Sequence, residues 1–320
     1  MLNPLATHAG TRRLITAAGT APSVHNTQPW RFVARRREYI ELHADPDRWL
    51  KVADPRGRSL RISCGAALFN LRLALRVSGH RPLIWSARAA GDDPSTLLAA
   101  VRPASAAPAS TAEHDLYDAI KIRRTNRQPF TDAPIPAAVA DELGMAARLE
   151  GAGLVFLRDP ASVALLEEVA AAEETLTGNR AYRAELARWT SGPSHSDGMP
   201  PYVQGPRPIG DLVPVRDLAR VTRERVRFEA RPHLAVLTTP GDDPAHWLRA
   251  GQALQRVLLV ATLHGVSASF LNQPLDLRDM RHHTDPRHPG GHPQMIIRLG
   301  YGPAVPRAPR RPVPELLHAA

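Results

Sequence analysis

Apolar residues recur at helical spacing in two long segments of this chain, residues 60–78 and 243–264, and alternate with polar ones in short runs around them. Read from the N-terminus, the pattern predicts a short helix over 12–18 and a hairpin of strands 30–34 and 39–44. The first long helix follows, and then strands over 82–87 and 97–102. After a run of small and turn-forming residues, Pro103-Ala104-Ser105-Ala106-Ala107-Pro108-Ala109-Ser110, come helices over 112–123 and 137–149, a strand over 154–158 and a helical stretch over 161–189. A short helix over 217–227, a strand over 233–239, the second long helix and strands over 267–271 and 295–301 complete the prediction. Residues 191–214 are crowded with Gly and Pro, so they read as irregular chain long enough to act as a lid or arm.

The two long helices superpose without a gap. Gly65-Ala66-Ala67-Leu68 runs to Gly79 and Gly251-Gln252-Ala253-Leu254 runs to Gly265, with the same interval between the glycines and a short strand after each. This suggests a duplicated unit, although two amphipathic core helices share a period by nature. With the linker at 103–110 as the boundary, the chain divides into halves 1–105 and 111–320, the second carrying the arm.

Composition narrows the class. A chain of 320 residues with 43% hydrophobic content and no long uncharged apolar run reads as globular and without a membrane span, and its first thirteen residues lack the apolar core of a secretory signal. Cys64 is the only cysteine, which excludes an intrachain disulfide and fits a reducing, cytoplasmic compartment. Placed among Ile62, Ala66 and Leu68, it reads as a small buried hydrophobe. The net charge of +10 raises a nucleic-acid reading, but 39 of the 41 basic residues are arginines spread over nearly the whole length, so no binding stripe emerges. The charge favours anionic small molecules instead.

Two runs carry candidate chemistry. Ala21-Pro22-Ser23-Val24-His25-Asn26-Thr27-Gln28-Pro29-Trp30 places a hydroxyl, two amides and an indole at a helix-to-strand junction, a setting suited to a planar, heteroatom-edged ligand. Trp30 reads as a core anchor. In Arg123-Arg124-Thr125-Asn126-Arg127-Gln128-Pro129-Phe130, three guanidiniums and a hydroxyl fall within five residues at a helix end. That run is either a phosphate site or a solvated helix C-terminus favoured by the helix dipole. The histidine-rich stretch from Arg281 to His292 could ligate zinc, but its Pro and Gly content favours a loop. His25 could face a ligand or serve the turn.

Taken together, the two runs resemble the motifs of the flavin-dependent nitroreductase superfamily, an Arg-Arg-Ser-x-Arg phosphate motif followed by Pro-Ser-x-x-Asn-x-Gln-Pro-Trp. In that superfamily both belong to one subunit of a homodimer, and each flavin mononucleotide lies at the interface. Here the order is inverted: the first half keeps the second motif, the second half keeps the first, and where a partner motif would follow in the second half stands Ala146-Ala147-Arg148-Leu149-Glu150-Gly151. This arrangement resembles the Acg-like actinobacterial branch, as do Phe270-Leu271-Asn272-Gln273-Pro274-Leu275, the closing Leu299-Gly300-Tyr301-Gly302 and, in the arm, Asp197-Gly198-Met199-Pro200.

The resemblance implies an α+β, nitroreductase-like fold in which two tandem halves with mixed, mainly antiparallel sheets form a pseudo-dimer with one complete flavin site. It implies that Arg123, Thr125 and Arg127 hold the phosphate of FMN with help from Arg310 or Arg311. Pro22, Ser23, Asn26 and Gln28 would line the isoalloxazine and hydrogen-bond its pyrimidine edge, with backbone around Asn272 near N5. The implied activity is NAD(P)H-dependent hydride transfer through the flavin to a nitroaromatic, quinone or similar small-molecule acceptor, with no catalytic side chain and no metal required. A second expectation is a flavin-sequestering protein of little turnover, its arm folded over the cofactor; a third is a pseudoenzyme without flavin. With the dimer interface already internal, a monomer or weak homodimer follows, without membrane or nucleic-acid partners.

Overall fold

The alternating segments form the first of the two larger sheets. The structure is a computed structural model that describes residues 3–86, 96–191, 196–210, 213–216, 218, 224–280 and 291–318. Helix α1 (His8–Gly19) leads through the motif turn into β1 (Trp30–Arg35) and β2 (Tyr39–Ala44); α2 (Arg58–Val77) is followed by β3 (His80–Ser86) and β4 (Leu97–Ala106). Next come α3 (Thr111–Ile122), α4 (Ala137–Leu149), β5 (Gly153–Phe156), α5 (Ala161–Gly178), α6 (Arg180–Thr190) and the short strands β6 (Arg207–Pro208) and β7 (Arg225–Val226). The chain then forms β8 (His233–Thr239), α7 (Pro244–Leu263), β9 (Ser267–Phe270), α8 (Gln273–Met280), β10 (His292–Gly300), α9 (Val313–Leu316) and β11 (Leu317–His318).

The two main sheets repeat one plan. The first has the order β11-β1-β2-β4-β3 and the second β5-β8-β10-β9. In each, the long helix falls between the second and third strands along the chain, and the third and fourth exchange places in space. All pairings within each set of four are antiparallel. The first sheet gains β11 from the far end of the chain, parallel to β1 through Phe32 with Leu317 and Val33 with His318.

Between the sheets, α2 and α7 cross at Gly65 and Gly251, and the crossing is reciprocal. A Cβ on Gly65 would lie 2.1 Å from the carbonyl oxygen of Leu248, and one on Gly251 would lie 1.9 Å from that of Ile62. Each glycine thus faces the carbonyl three residues before the other, the self-complementary pattern of a two-fold interface. Because the obstacle on both sides is backbone, rotamer adjustment cannot relieve it. Gly251→Ala is expected to destabilise the chain by about 3 kcal/mol or more, read as a lowered urea midpoint, since overpacking against an immovable neighbour costs at least the upper part of the usual range. An unchanged midpoint would show that the crossing can widen freely.

Several boundaries differ from the sequence pattern. Pro103 to Ala106 continue β4 as the partner of β3, so the linker begins only at Ala107; prolines are tolerated there because this end of β4 extends past its register with β2, which stops at Val101, and is paired on the β3 side only. The long helical stretch breaks at Asn179, whose side chain accepts from the Tyr182 amide and caps α6. The helix predicted over 217–227 ends, where described, in β7 paired with β6, and its residues 217 and 219–223 lie outside the described residues. So do 281–290 of the histidine-rich stretch. The α8, α9 and β11 segments have no counterpart in the sequence pattern. Trp30 is fully buried in the first core, as its anchor reading requires, and Cys64 is buried beside it with its thiol pushed up by desolvation. Among the described residues, no helix is long and apolar enough to cross a membrane.

Candidate flavin site

The turn at 23–28 is held in a demanding shape. His25, Asn26 and Gln28 all adopt positive φ, at 46°, 56° and 49°, a region that L side chains enter only when their surroundings fix them. Ser23 Oγ accepts from the Gln28 amide at 2.9 Å, and Ser63 Oγ of α2 accepts from the Val24 amide at 3.2 Å. The Asn26 amide donates to the carbonyls of Gly198 (2.9 Å) and Pro309 (3.0 Å), while its Oδ1 accepts from Arg310. Gln28 donates to the Ser196 carbonyl and accepts from the Arg311 amide at 2.9 Å. The two amides therefore tie arm and C-terminal tail to the turn.

The second motif leaves α3 along the edge of the second sheet. Thr125 bridges to Ala268, and the Asn126 amide donates to the Ala268 carbonyl at 2.9 Å. Arg127 donates to the Val203 carbonyl at 2.9 Å and approaches the Met199 sulfur, which fastens the arm across the motif. Behind it, the buried Arg298 forms a bidentate pair with Glu229, lies over the Phe130 ring and donates to the Gln128 carbonyl. Glu229 accepts in turn from the Phe130 amide at 2.9 Å. Residues 128–130 are thereby clamped next to the arginines.

Two joined chambers result. The inner one, of about 790 Å³, is walled by Pro22, Ser23 and His25 from the first half of the chain and by Leu254, Phe270 and Asn272 from the second. The outer one, of about 530 Å³, is lined by Arg123, Arg124, Arg307 and Arg310, and no carboxylate among the described residues lines it. Pro22, Ser23, Thr125, Arg127 and Met199 border both.

The outer chamber has the chemistry of an anion site. Arg123 is 5% exposed, and its Nε and Nη1 are buried without a hydrogen-bond partner. Burial, Arg124 and Arg307 push its guanidinium down to about 10; burial, Arg123, Arg307 and Arg124 push Arg310 down to about 9. Crowded, desolvated cations with unused donors are what a phosphate dianion would satisfy. The inner chamber, apolar on Ile62, Leu254, Phe270 and Met295 and polar at Ser23 and Asn272, suits an aromatic ring with polar edges. The residues present fit flavin mononucleotide.

Comparisons with known proteins agree with the motifs. No family model matches the chain. One Mycobacterium tuberculosis protein named a putative NAD(P)H nitroreductase is 31% identical over 316 residues, spanning 96% of this chain and 90% of its own. Another from that organism, the putative NAD(P)H nitroreductase acg, is 30% identical over 323 residues, spanning 95% and 94%. The chain belongs to the Acg-like nitroreductases. Among solved structures, the FMN-dependent nitroreductase NfnB of Mycobacterium smegmatis in complex with NADPH aligns at 17% identity over 64% of this chain and 97% of its own, with a TM-score of 0.38. A nitroreductase with bound FMN from Desulfitobacterium hafniense aligns at 13% over 62% and 94%, with a TM-score of 0.37.

The α+β nitroreductase-like fold of this Acg-like chain gathers most residues singled out in the sequence, but not all. Pro22, Ser23, Thr125, Arg127 and Asn272 border the inner chamber, and Arg123 and Arg310 the outer one. Asn26 reaches only the outer chamber, with its amide spent on backbone carbonyls. Gln28 is fully buried and Arg311 is turned toward Asp45, Glu315 and the carbonyl of Gln28; neither lines a chamber. Asn272 Oδ1 is engaged by the Ile296 amide. Arg124, one of the three guanidiniums counted in the motif, and Arg307, which the sequence reading did not name, complete the arginine lining of the outer chamber; Arg307 stands three residues from Arg310, so the same charge argument reaches it. In the second half, Glu150 takes Arg72 and Arg256 at 2.7 and 2.9 Å, which sets an acid where the missing motif would stand.

Arg216, on the chain leaving the arm, has no such signal. It enters the inner chamber, pairs with Asp276, donates to the Tyr182 hydroxyl at 2.8 Å and lies 3.4 Å from His25 Nε2. Burial, with Arg216 and Arg127 nearby, holds His25 well below its ordinary value of 6.5. The unfolded chain therefore binds a proton here before the folded one does, so stability falls as pH drops below about 6.5. His25→Asn, which tolerates the left-handed backbone, is expected to reduce the dependence of unfolding free energy on pH below 6.5 by up to about 1.4 kcal/mol per pH unit. Parallel slopes for the two proteins would show that His25 is protonated in the fold.

Proposed function

We propose that this Acg-like nitroreductase is two nitroreductase-like halves forming one internal pseudo-dimer with a single flavin mononucleotide site, and that it is an NAD(P)H-dependent oxidoreductase. The observation that carries the reading is Arg123: a buried guanidinium with two unused donors, in a chamber bordered by arginines alone among charged residues and opening into an aromatic-sized cavity shared by both halves. Arg123, Arg310 and Thr125 hold the phosphate, Arg124 and Arg307 add charge at its rim, and Pro22, Ser23 and Asn272 border the ring. A flavin bound there would supply hydride-transfer chemistry between a nicotinamide nucleotide and a nitroaromatic, quinone or similar acceptor. The chain's own part is to bind, orient and exclude water; no residue is assigned a proton-transfer role. We place the protein in the cytoplasm, acting on small molecules rather than nucleic acid or membrane, as a monomer or weak dimer.

One observation favours the sequestering alternative. Met199 of the arm borders both chambers, and the arm is strapped down by the Gly198 carbonyl with Asn26, the Val203 carbonyl with Arg127 and Asp197 with Arg48 at 2.7 Å. An arm so held could cover the flavin face that a second substrate needs. Anaerobic addition of NADPH to the FMN-loaded protein separates the two. Bleaching of the visible band within seconds to minutes supports the reductase; a retained band that NADPH leaves unbleached supports sequestration and overturns the reductase.

A further inference from the structure

His25 is the one polar side chain of the first motif's turn whose use is still open, since those of Ser23, Asn26 and Gln28 are engaged by the turn, the arm and the tail. Its imidazole is 9% exposed and borders the inner chamber beside Ser59, Arg216 and Asp276, on a backbone held at a φ of 46°. Arg216 Nη1 stands 3.4 Å from His25 Nε2. A guanidinium has N–H donors and no acceptor, so in that contact Nε2 accepts and carries no proton. The proton of the neutral ring is then on Nδ1, and Nδ1 has no hydrogen-bond partner among the described residues.

The guanidinium that sets this tautomer is itself held in place. Arg216 Nη2 pairs with Asp276 of α8, and Nη1 also donates to the Tyr182 hydroxyl of α6, with Glu173 of α5 adding negative charge behind it. Burial, Arg216 and Arg127 of the second motif together keep the imidazole uncharged at neutral pH. We propose that His25 is a specificity-determining residue of the inner chamber, a neutral donor whose Nδ1–H serves a carbonyl oxygen of the ring bound there, with Arg216 as the positioning residue that fixes its tautomer. A neutral donor favours an uncharged oxygen, where an imidazolium would select an anion. The carbonyl belongs either to the pyrimidine edge of a flavin or to a quinone acceptor. The identity of the ring rests on the flavin reading above; the tautomer does not.

The test is nitrogen NMR of the full chain labelled at its histidine ring nitrogens, first without ligand, then with FMN, then with a naphthoquinone added to the FMN-loaded protein. The His25 signals are those missing from His25→Gly, in which glycine keeps the positive φ. Without ligand, His25 is expected as a single Nδ1–H tautomer at pH 7, and as a mixture of both tautomers in Arg216→Met/Asp276→Asn, which removes the ion pair together and leaves neither charge alone. An Nε2–H or doubly protonated ring in the wild type would overturn the proposal. The Nδ1–H signal should shift on adding FMN if a flavin carbonyl is its partner, and only on adding the naphthoquinone if the acceptor is; a signal that neither moves would overturn it. Whichever ligand moves the signal should bind His25→Gly about three- to tenfold more weakly, the worth of one neutral hydrogen bond, and added imidazole should restore the affinity. Unchanged affinity, or a loss that imidazole does not restore, would count against the donor. If the folded wild type binds no FMN, the flavin reading fails and the carbonyl assignment with it, while the unliganded spectrum still decides the tautomer.

Discussion

Arg123→Leu is expected to lower FMN affinity by about a hundredfold or more and, at the same time, to raise the melting temperature of the flavin-free chain. The loss follows from removing a desolvated guanidinium whose Nε and Nη1 have no other partner; charge-assisted bonds in a buried site are worth a few kcal/mol, and 1.4 kcal/mol is a factor of ten. The gain follows from the same facts. Arg123 shares an acid-free lining with Arg124, Arg307 and Arg310, and burial together with Arg124 and Arg307 pushes its guanidinium down to about 10, so holding that charge costs stability. Replacing an uncompensated buried charge by an apolar side chain of similar length is neutral to stabilising. Differential scanning fluorimetry with and without FMN reads both effects in one experiment: the wild type should melt higher with FMN, by the mass-action term, and the variant should melt higher than the wild type without it and show no FMN shift. A variant that binds FMN normally would show that the phosphate goes elsewhere.

The second large effect lies behind the same motif. Glu229→Ala should destabilise the chain by about 3–5 kcal/mol, because it leaves Arg298, fully buried, without its counter-charge. It also frees the Phe130 amide and the clamp on residues 128–130, so flavin affinity should fall as well, through loss of register at Arg127 rather than loss of a contact. The double variant Glu229→Leu/Arg298→Met removes both charges and should recover most of the stability, while the flavin affinity stays reduced because the clamp on Gln128 and Phe130 is absent. Urea denaturation of the three proteins gives the comparison. A loss below about 1 kcal/mol for the single variant would mean that water reaches Arg298 and that the clamp is not sealed.

The sequence carried the frame of this molecule further than its fittings. The period-matched glycines of the two long helices were legible because a backbone crossing tolerates no side chain, and the structure places Gly65 and Gly251 against each other. The hairpin at Trp30 was legible from alternation and the strand at His233 from its short apolar run Leu234-Ala235-Val236-Leu237. The break of the helical stretch at Asn179 was not read although it is a local signal, a side chain capping the Tyr182 amide; the strand pair of Arg207 with Arg225 was not legible, since it joins segments apart in sequence. The same division applies at the site. Arg123, Thr125 and Arg127 announced themselves by clustering, but the uses of Asn26 and Gln28 did not. An amide can bind a ligand edge or a backbone carbonyl equally well, and here the carbonyls of Ser196, Gly198 and Pro309 take them. Arg216 was invisible because its partners, Asp276 and Tyr182, lie 60 and 34 residues away.

The central claim is that one chain holds one flavin mononucleotide between its two halves. The most direct measurement is the stoichiometry and tightness of FMN retention: the purified chain is incubated with excess FMN, desalted, and its flavin absorbance compared with its protein concentration, for the wild type and for Arg123→Leu. The account predicts about one equivalent per chain for the wild type and almost none for the variant. Two equivalents, or one equivalent retained by both proteins, or none retained by a folded wild type, would contradict it.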